Sequence, residues 1–176
     1  MNLRSLVLLG AISAGSCQNM PEPYAPPEQR QPLENFRPYR VSAVVNMSDG
    51  DAAGHFVQDI SPALAGTWRW TGQRPTVRVS MRANENLRYA IDFTIPGVTF
   101  EQTGPVTMSF YVNGHLLDQV RYTSFGPKRF VKPVPAEWVE KDQEATVAAE
   151  IDKLWVSPQD GSRLGFILTS IGLQQE

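Results

Sequence analysis

The sequence predicts an all-β protein, an antiparallel two-layer β-sandwich of the jelly-roll type. Three observations support this fold class. Apolar and polar residues alternate with a period of two through much of the chain, as they do in strands with one buried face. The pair Asn113-Gly114 directly follows one alternating segment, which is the strongest short signal for a β-hairpin. No segment carries the long 3.6-residue apolar stripe of an amphipathic helix.

Several short predicted strands with Gly, Pro and Asn between them are typical of sandwiches and barrels. Alternation splits their faces into an apolar and a polar side, which favours a two-layer sandwich over a buried parallel sheet. The segment Ala136–Asp142, after Pro135, is expected to form at most one helical turn. In chain order the predicted strands are Tyr39–Asn46, Thr67–Trp70, Thr76–Arg82, Leu87–Ile95, Val106–Val112, His115–Tyr122, Val147–Ile151 and Arg163–Leu173.

The chain begins with a segment that is typical of a secretory signal peptide. Met1–Ser16 carries one basic residue, Arg4, then the apolar run Leu6–Leu9, then small or apolar residues. That run is too short to span a hydrocarbon core of roughly 30 Å, which takes about 20 residues. The single cysteine of the protein, Cys17, follows at once. We therefore expect residues 1–16 to be removed on export.

The residues before this cysteine resemble a lipobox, the recognition site of lipoprotein signal peptidase. The match is Ala14-Gly15-Ser16-Cys17, with Ala14 at a position where Leu is usual. The resemblance implies cleavage after Ser16, a lipid thioether on Cys17 and acylation of its amine, and two or more acyl chains anchor a protein stably. Gln18 resembles the signal for outer-membrane sorting. Ordinary signal peptidase could cut the same bond, leaving Cys17 as a free thiol.

A proline-rich segment separates the cysteine from the predicted sandwich. Six prolines lie between Gln18 and Arg40, among Glu, Gln and Arg. This composition buries too little apolar surface to fold and biases the backbone toward extended polyproline II. The chain therefore divides into a signal peptide (1–16), an acylated cysteine with a linker (17–35) and a sandwich domain (36–176). The layout predicts a lipid-anchored protein of the cell envelope, at the outer membrane.

Composition excludes several functions. The net charge of −2 provides no basic surface for nucleic acid. The two histidines, His55 and His115, are too few for a typical zinc site, and no nucleophile elbow, phosphate loop or dinucleotide fingerprint occurs. The protein is therefore expected not to be an enzyme and to need no cofactor. A hydrolase would require one of these histidines beside a carboxylate in a cleft.

The four tryptophans are the candidate glycan-binding residues. Trp68 and Trp70 are two apart, so a strand places both on one face, either as a platform for a sugar ring or, the favoured alternative, inside the core. Trp138, in a loop-like segment beside Pro135, and Trp155, before Ser157-Pro158, are expected to be partly exposed. Indole faces stack on sugars, so these side chains are where a glycan site would be sought.

Charged residues offer two weaker sites. Asp49, Asp51 and Asp59 surround a glycine-containing loop that could hold a structural Ca²⁺, although Asp and Gly are also ordinary turn residues. A set of arginines is assigned to the polar sides of the strands, either to grip an acidic envelope polymer or, the favoured alternative, as a solvated face paired with carboxylates. These are Arg69, Arg78, Arg82 and Arg88.

Three segments in order resemble the galactose-binding-like jelly-roll modules of bacterial cell-envelope proteins, which are often attached to glycosyltransferases. They are Thr67–Gly72, Phe110–Leu117 and Asp160–Leu168, with Phe130 and Pro133-Val134-Pro135 between the last two. The resemblance implies a β-sandwich near glycans and supplies no catalytic residues. Since fold does not confer function, the ligand follows only by analogy. The expected function is non-catalytic binding of a glycan or envelope polymer; the alternative is an assembly lipoprotein that docks a protein partner.

Overall fold

Antiparallel strands form most of the regular structure in a computed structural model that describes residues 43–82 and 84–175. One short helix, α1 (Gly97–Thr103), and single 3-10 turns at Ala52–His55 and Ala136–Trp138 complete the regular elements of this part. The strands are β1 (Val44–Asn46), β2 (Phe56–Ile60), β3 (Arg69–Ser80), β4 (Leu87–Ile95), β5 (Val106–Val112), β6 (His115–Tyr122), β7 (Gly126–Pro133), β8 (Glu144–Ile151), β9 (Trp155–Val156), β10 (Arg163–Leu164) and β11 (Ile167–Gln175).

The strands form two layers that share β3. One layer has the order β7-β4-β11, with β1 and the start of β3 paired to the other side of β11. The second layer has the order β6-β5-β8-β3-β2. Since β3 pairs with β11 at Arg69–Trp70 and with β8 at Thr76–Ser80, it crosses from one layer to the other. The predicted all-β, antiparallel jelly-roll sandwich is confirmed.

Aromatic side chains join the two layers in one core. Tyr89 of β4 contacts Phe110 of β5, with ring centroids 5.7 Å apart, and its hydroxyl donates to the Ala148 carbonyl of β8 at 3.0 Å. Phe110 also stacks on Phe130 of β7 at 3.8 Å between centroids. The apolar set that alternates along β4 is buried, as the period-two pattern predicts: Leu87, Tyr89, Ile91, Phe93 and Ile95.

The predicted hairpin is present, and other boundaries differ from the prediction. Asn113 and Gly114 both have positive φ, 47° and 81°, and join β5 to β6. The two strands predicted at Thr67–Trp70 and Thr76–Arg82 are one twelve-residue strand, β3. The predicted last strand is split into β10 and β11 at Gly165, where a Cβ atom would stand 2.3 Å from the Gly72 carbonyl oxygen.

Several short or edge elements have no clear signal in the sequence, and part of the predicted chain lies outside the described residues. β2, β7, β9 and α1 were not predicted: β2 is largely exposed, β7 is a proline-containing edge strand, β9 has two residues and α1 has seven. Of the predicted first strand, Val44–Asn46 is observed and residues 39–42 lie outside the described residues. Ser16, Cys17 and the linker also lie outside them. Within the described ranges, no helix is long and apolar enough to cross a membrane.

Candidate functional site

Two of the four tryptophans line one pocket of about 580 Å³. Trp70 comes from β3 and Trp155 from β9, and α1 contributes the exposed Val98. The turn between β9 and β10 supplies most of the polar groups. The remaining lining residues are Ser61, Ser157, Pro158, Gln159, Asp160, Ser162 and Leu164.

Trp70 is held by backbone pairing and by its neighbour. It pairs with Ile167 of β11, and its carbonyl accepts the Ser61 N–H at 2.9 Å. Trp68 meets it edge to face, with ring centroids 6.2 Å apart and planes at 87°. Both indoles are half-buried, so neither the fully buried core position nor a free platform describes them. Trp68 supports Trp70, and Trp70 reaches the pocket.

Trp155 is half-buried, in agreement with the expected partial exposure. It lies in the two-stranded ribbon of β9 and β10, opposite Leu164. Its indole Nε1 is buried and has no hydrogen-bond partner among the described residues. Buried donors are nearly always paired in folded proteins, so this N–H is an unsatisfied donor on the side chain that forms one wall of the pocket.

Asp160 is positioned by a turn that is closed by its own hydrogen bonds. The Ser157 N–H donates to the Ser162 carbonyl at 2.8 Å, and the Gly161 N–H donates to the Ser157 carbonyl at 2.9 Å. Gly161 has φ 73°, which suits glycine. Asp160 Oδ2 accepts the Ser162 hydroxyl at 2.7 Å, and Oδ1 accepts the Ser162 N–H at 3.1 Å. The carboxylate therefore has a defined orientation.

The same hydrogen bonds keep Asp160 ionised. They lower the pKa of its carboxyl group, first through the Ser162 hydroxyl and then through the Ser162 backbone N–H, because both donate to the charged form. The pocket thus combines two indoles, a fixed carboxylate, hydroxyl groups and an amide. Such a set of apolar walls with a few oriented polar groups is typical of small-ligand sites. The sequence analysis did not identify Asp160 as a site residue, although it lies five residues after the candidate Trp155.

Trp138 lies apart from this pocket, in a second one of about 470 Å³. It is half-buried as expected, and its indole stacks on His115 at 4.9 Å between centroids. Its carbonyl accepts the Asn113 side-chain amide at 2.7 Å. The described lining includes glutamates Glu137, Glu140 and Glu144 but no Ser, Thr or Cys that could act as a nucleophile. The four candidate tryptophans therefore do not form one site.

His55 and the three aspartates considered as calcium ligands do not form a site within the described residues. His55 is buried, and its Nδ1 lies 2.9 Å from the Arg78 carbonyl oxygen. Asp59 accepts the Arg74 N–H at 2.8 Å, whereas Asp49 accepts the Asn46 side-chain amide at 3.0 Å. No group of three His, Cys, Asp or Glu within the described ranges is arranged to hold a metal ion. The structure thus does not gather Asp49, Asp51 and Asp59 into the calcium site that was considered.

Arg69 corrects the assignment of the arginines to polar faces. It is 7% exposed, and its Nε donates to the Met47 carbonyl at 3.1 Å. Its Nη1 donates to the carbonyls of Ser61 and Pro62. Arg78, in contrast, is an exposed residue that pairs with Glu144 at 3.4 Å, as the solvated-face alternative expects. Arg69 is inward because it is in phase with the buried side chains of β3.

Comparisons with known proteins show distant similarity to solved structures. No protein-family model and no curated protein sequence matches the chain. A family 35 carbohydrate binding module from Clostridium thermocellum is 11% identical with a TM-score of 0.43, and the match covers 76% of this chain and 97% of the module. A family 35 module from an environmental isolate has 11% identity, a TM-score of 0.40 and coverages of 76% and 96%.

A third similar structure is an acetyl xylan esterase, Est2A, from the rumen bacterium Butyrivibrio proteoclasticus. It is 10% identical with a TM-score of 0.42, and the match covers 78% of this chain but 34% of the esterase. Likenesses this distant do not identify a ligand or an activity.

Proposed function

We propose that the sandwich is a non-catalytic glycan-binding module that holds a sugar in the pocket between β3 and the β9–β10 turn. The observation that carries the proposal is the convergence of Trp70, Trp155 and Asp160 on one pocket. Its volume of about 580 Å³ lies within the range of roughly 300–1,000 Å³ that is usual for small-ligand sites.

The chemistry of these groups suits a sugar ring. A pyranose presents C–H groups on its faces and hydroxyl groups around its edge, so it needs an apolar wall and polar groups together. The indoles of Trp70 and Trp155 supply large rigid apolar surfaces. Asp160 accepts hydroxyl protons, and a hydrogen bond to a charged group is stronger than one between neutral groups.

Binding is tested with the purified full-length protein in a detergent that has no sugar headgroup. An array of neutral, amino and acidic oligosaccharides is screened first, and the best glycan is then titrated by calorimetry. Trp70→Ala and Trp155→Ala should each weaken binding at least tenfold, because each removes one apolar wall. Trp138→Ala is the matched control, since it truncates an equally half-buried indole in the other pocket. Trp155→Phe keeps a smaller aromatic wall and lacks the N–H, so its affinity should lie between those of the native protein and Trp155→Ala.

Absence of binding to every glycan, or an equal loss in the Trp138→Ala variant, would contradict the proposal. Circular dichroism of each variant separates loss of binding from loss of fold.

The sheet edges favour a second candidate, docking of a protein partner, because β6 and β7 each pair with one strand within the described residues and Leu116 and Phe125 are exposed there. Photocrosslinking from position 116, with the exposed Leu64 of the segment between β2 and β3 as control, tests that candidate.

The lipid anchor also remains a proposal, supported by the lipobox-like sequence before Cys17. We expect the mature protein to begin at Cys17 and to carry diacylglycerol on its sulfur and an acyl group on its amine. Mass spectrometry of the native protein should show this added mass, and Cys17→Ser should abolish it. A native protein that starts at Cys17 without acyl mass would indicate ordinary signal peptidase cleavage instead. Membrane fractionation would then test the proposed outer-membrane location.

A further inference from the structure

We infer that the pocket discriminates among glycans by charge: it accepts neutral and amino sugars and rejects uronic or sulfated ones, with Asp160 as the specificity-determining residue. This inference rests on the proposed function. It names the class of sugar that the same pocket would take.

The charge of the pocket comes from a single residue. Of the described residues that line it, only Asp160 is ionisable; the others are Trp, Ser, Gln, Pro, Val or Leu. Two cations that are close to the pocket residues in sequence, Lys153 and Arg163, do not belong to the lining. Lys153, which precedes β9, donates from Nζ to the carbonyls of Thr103 and Pro105 at 2.9 and 2.7 Å, at the end of α1. Arg163 is exposed and stands between the lining residues Ser162 and Leu164 without lining the pocket itself.

The geometry of Asp160 determines what it can bind. An ionised carboxylate has about four acceptor positions and no donor. Ser162 occupies one position on each oxygen, which leaves acceptor capacity on both oxygens for a ligand. A hydroxyl or ammonium group can donate to these positions. A uronate or sulfate ester carries only acceptors on its charged group, so it meets Asp160 with like charge and without a hydrogen bond.

The turn prevents Asp160 from simply swinging away from an acidic ligand. Its backbone is closed by the Ser157 and Gly161 hydrogen bonds, and both carboxylate oxygens are held by the next residue but one. Rotating the carboxylate would break two hydrogen bonds to Ser162 at once. The repulsion is therefore built into the turn, which is how a site gains specificity against an unwanted ligand.

The inference is tested by titrating the full-length protein with oligosaccharides that share one sugar backbone and differ in charge. The glycan that binds best in the array is compared with its amino and uronic analogues at low salt. We expect the uronic analogue to bind at least tenfold more weakly than the neutral sugar, and the amino analogue to bind at least as tightly. Added NaCl should weaken amino-sugar binding and reduce the discrimination against the uronic analogue, because salt screens charge.

Asp160→Asn should reduce the ratio of the affinities for the amino and uronic analogues at least tenfold, since the amide keeps the shape of the carboxylate and removes its charge. Asp152→Asn, at an exposed carboxylate outside the lining, is the matched control and should leave the discrimination unchanged. Equal binding of neutral and uronic sugars by the native protein would overturn the charge discrimination while leaving glycan binding intact. Failure of every sugar class would instead overturn the proposed function.

Discussion

Arg69→Met tests whether one buried arginine holds three segments of the chain together. Arg69 starts β3 and donates to carbonyls in the turn after β1 (Met47) and in the segment after β2 (Ser61 and Pro62). Its guanidinium also lies 5.2 Å from the centroid of the Phe56 ring. Since Ser61 lines the pocket, the same contacts position one wall of the candidate site.

The expected loss of stability can be worked from these contacts. Methionine fills similar space but donates nothing, and the Met47 carbonyl belongs to a fully buried residue, so leaving it without this donor costs about 1–3 kcal/mol. The carbonyls of Ser61 and Pro62 are nearer solvent and together add about 1 kcal/mol. Loss of the contact with Phe56 adds about 0.5–1 kcal/mol. Relief of burying a cation offsets part of this sum, which leaves about 2–4 kcal/mol.

Urea unfolding followed by tryptophan fluorescence measures this effect. For an m-value of about 2 kcal/mol/M, the midpoint of Arg69→Met should fall by about 1–2 M. Arg78→Met is the matched control: its ion pair with Glu144 has both side chains 50% exposed, so the loss should stay below about 1 kcal/mol. If the two variants lose the same stability, Arg69 does not connect the three segments as the hydrogen bonds indicate.

Three further predictions concern the fold and the pocket. Gly165→Ala should cost about 3 kcal/mol in urea unfolding because its Cβ would clash with a backbone carbonyl at 2.3 Å, whereas Gly50→Ala, with nothing within 4 Å, should be nearly neutral. Burial raises the pKa of Tyr89 well above 10.0, so the unfolded chain loses this proton first and stability falls as pH rises above about 10; unfolding curves of Tyr89→Phe should lack that part of the fall and show a cost of about 1 kcal/mol at pH 7. Hydrogen bonds from Ser162 lower the pKa of Asp160 from its ordinary value of 3.8, so the affinity for amino sugars, measured by calorimetry, should persist at pH 5 and weaken only at more acidic pH. Ser162→Ala should move the onset of this weakening to higher pH.

Local alternation was sufficient to predict most strands. β4 and β5 obey the period of two almost throughout, because each has one face on the core. The Asn113-Gly114 hairpin was predictable for the same reason, since the positive φ angles are a property of two neighbouring residues. The rule failed at β7, whose burial pattern does not alternate cleanly at the edge of its sheet.

The error at Arg69 has a definite source. When Thr67–Trp70 and Thr76–Arg82 are treated as separate strands, the buried face of each is chosen independently. The large apolar tryptophans then favour their own face as the buried one, which puts Arg69 on the exposed face. In the single strand β3, the phase of the buried Val77 and Val79 continues back to Arg69. Recognising one strand would have placed Arg69 inward and Trp70 on the other face.

By itself, the sequence determined the class of fold and the outline of most strands, because side-chain period and turn chemistry act between near neighbours. It also supplied the lipobox-like address before Cys17 and the set of four tryptophans. Only the tertiary structure decided which of them meet. Trp70 and Trp155 are 85 positions apart and share a pocket because β3 crosses between layers while the β9–β10 turn folds against it. That proximity depends on long-range pairing, which no local pattern in the chain encodes.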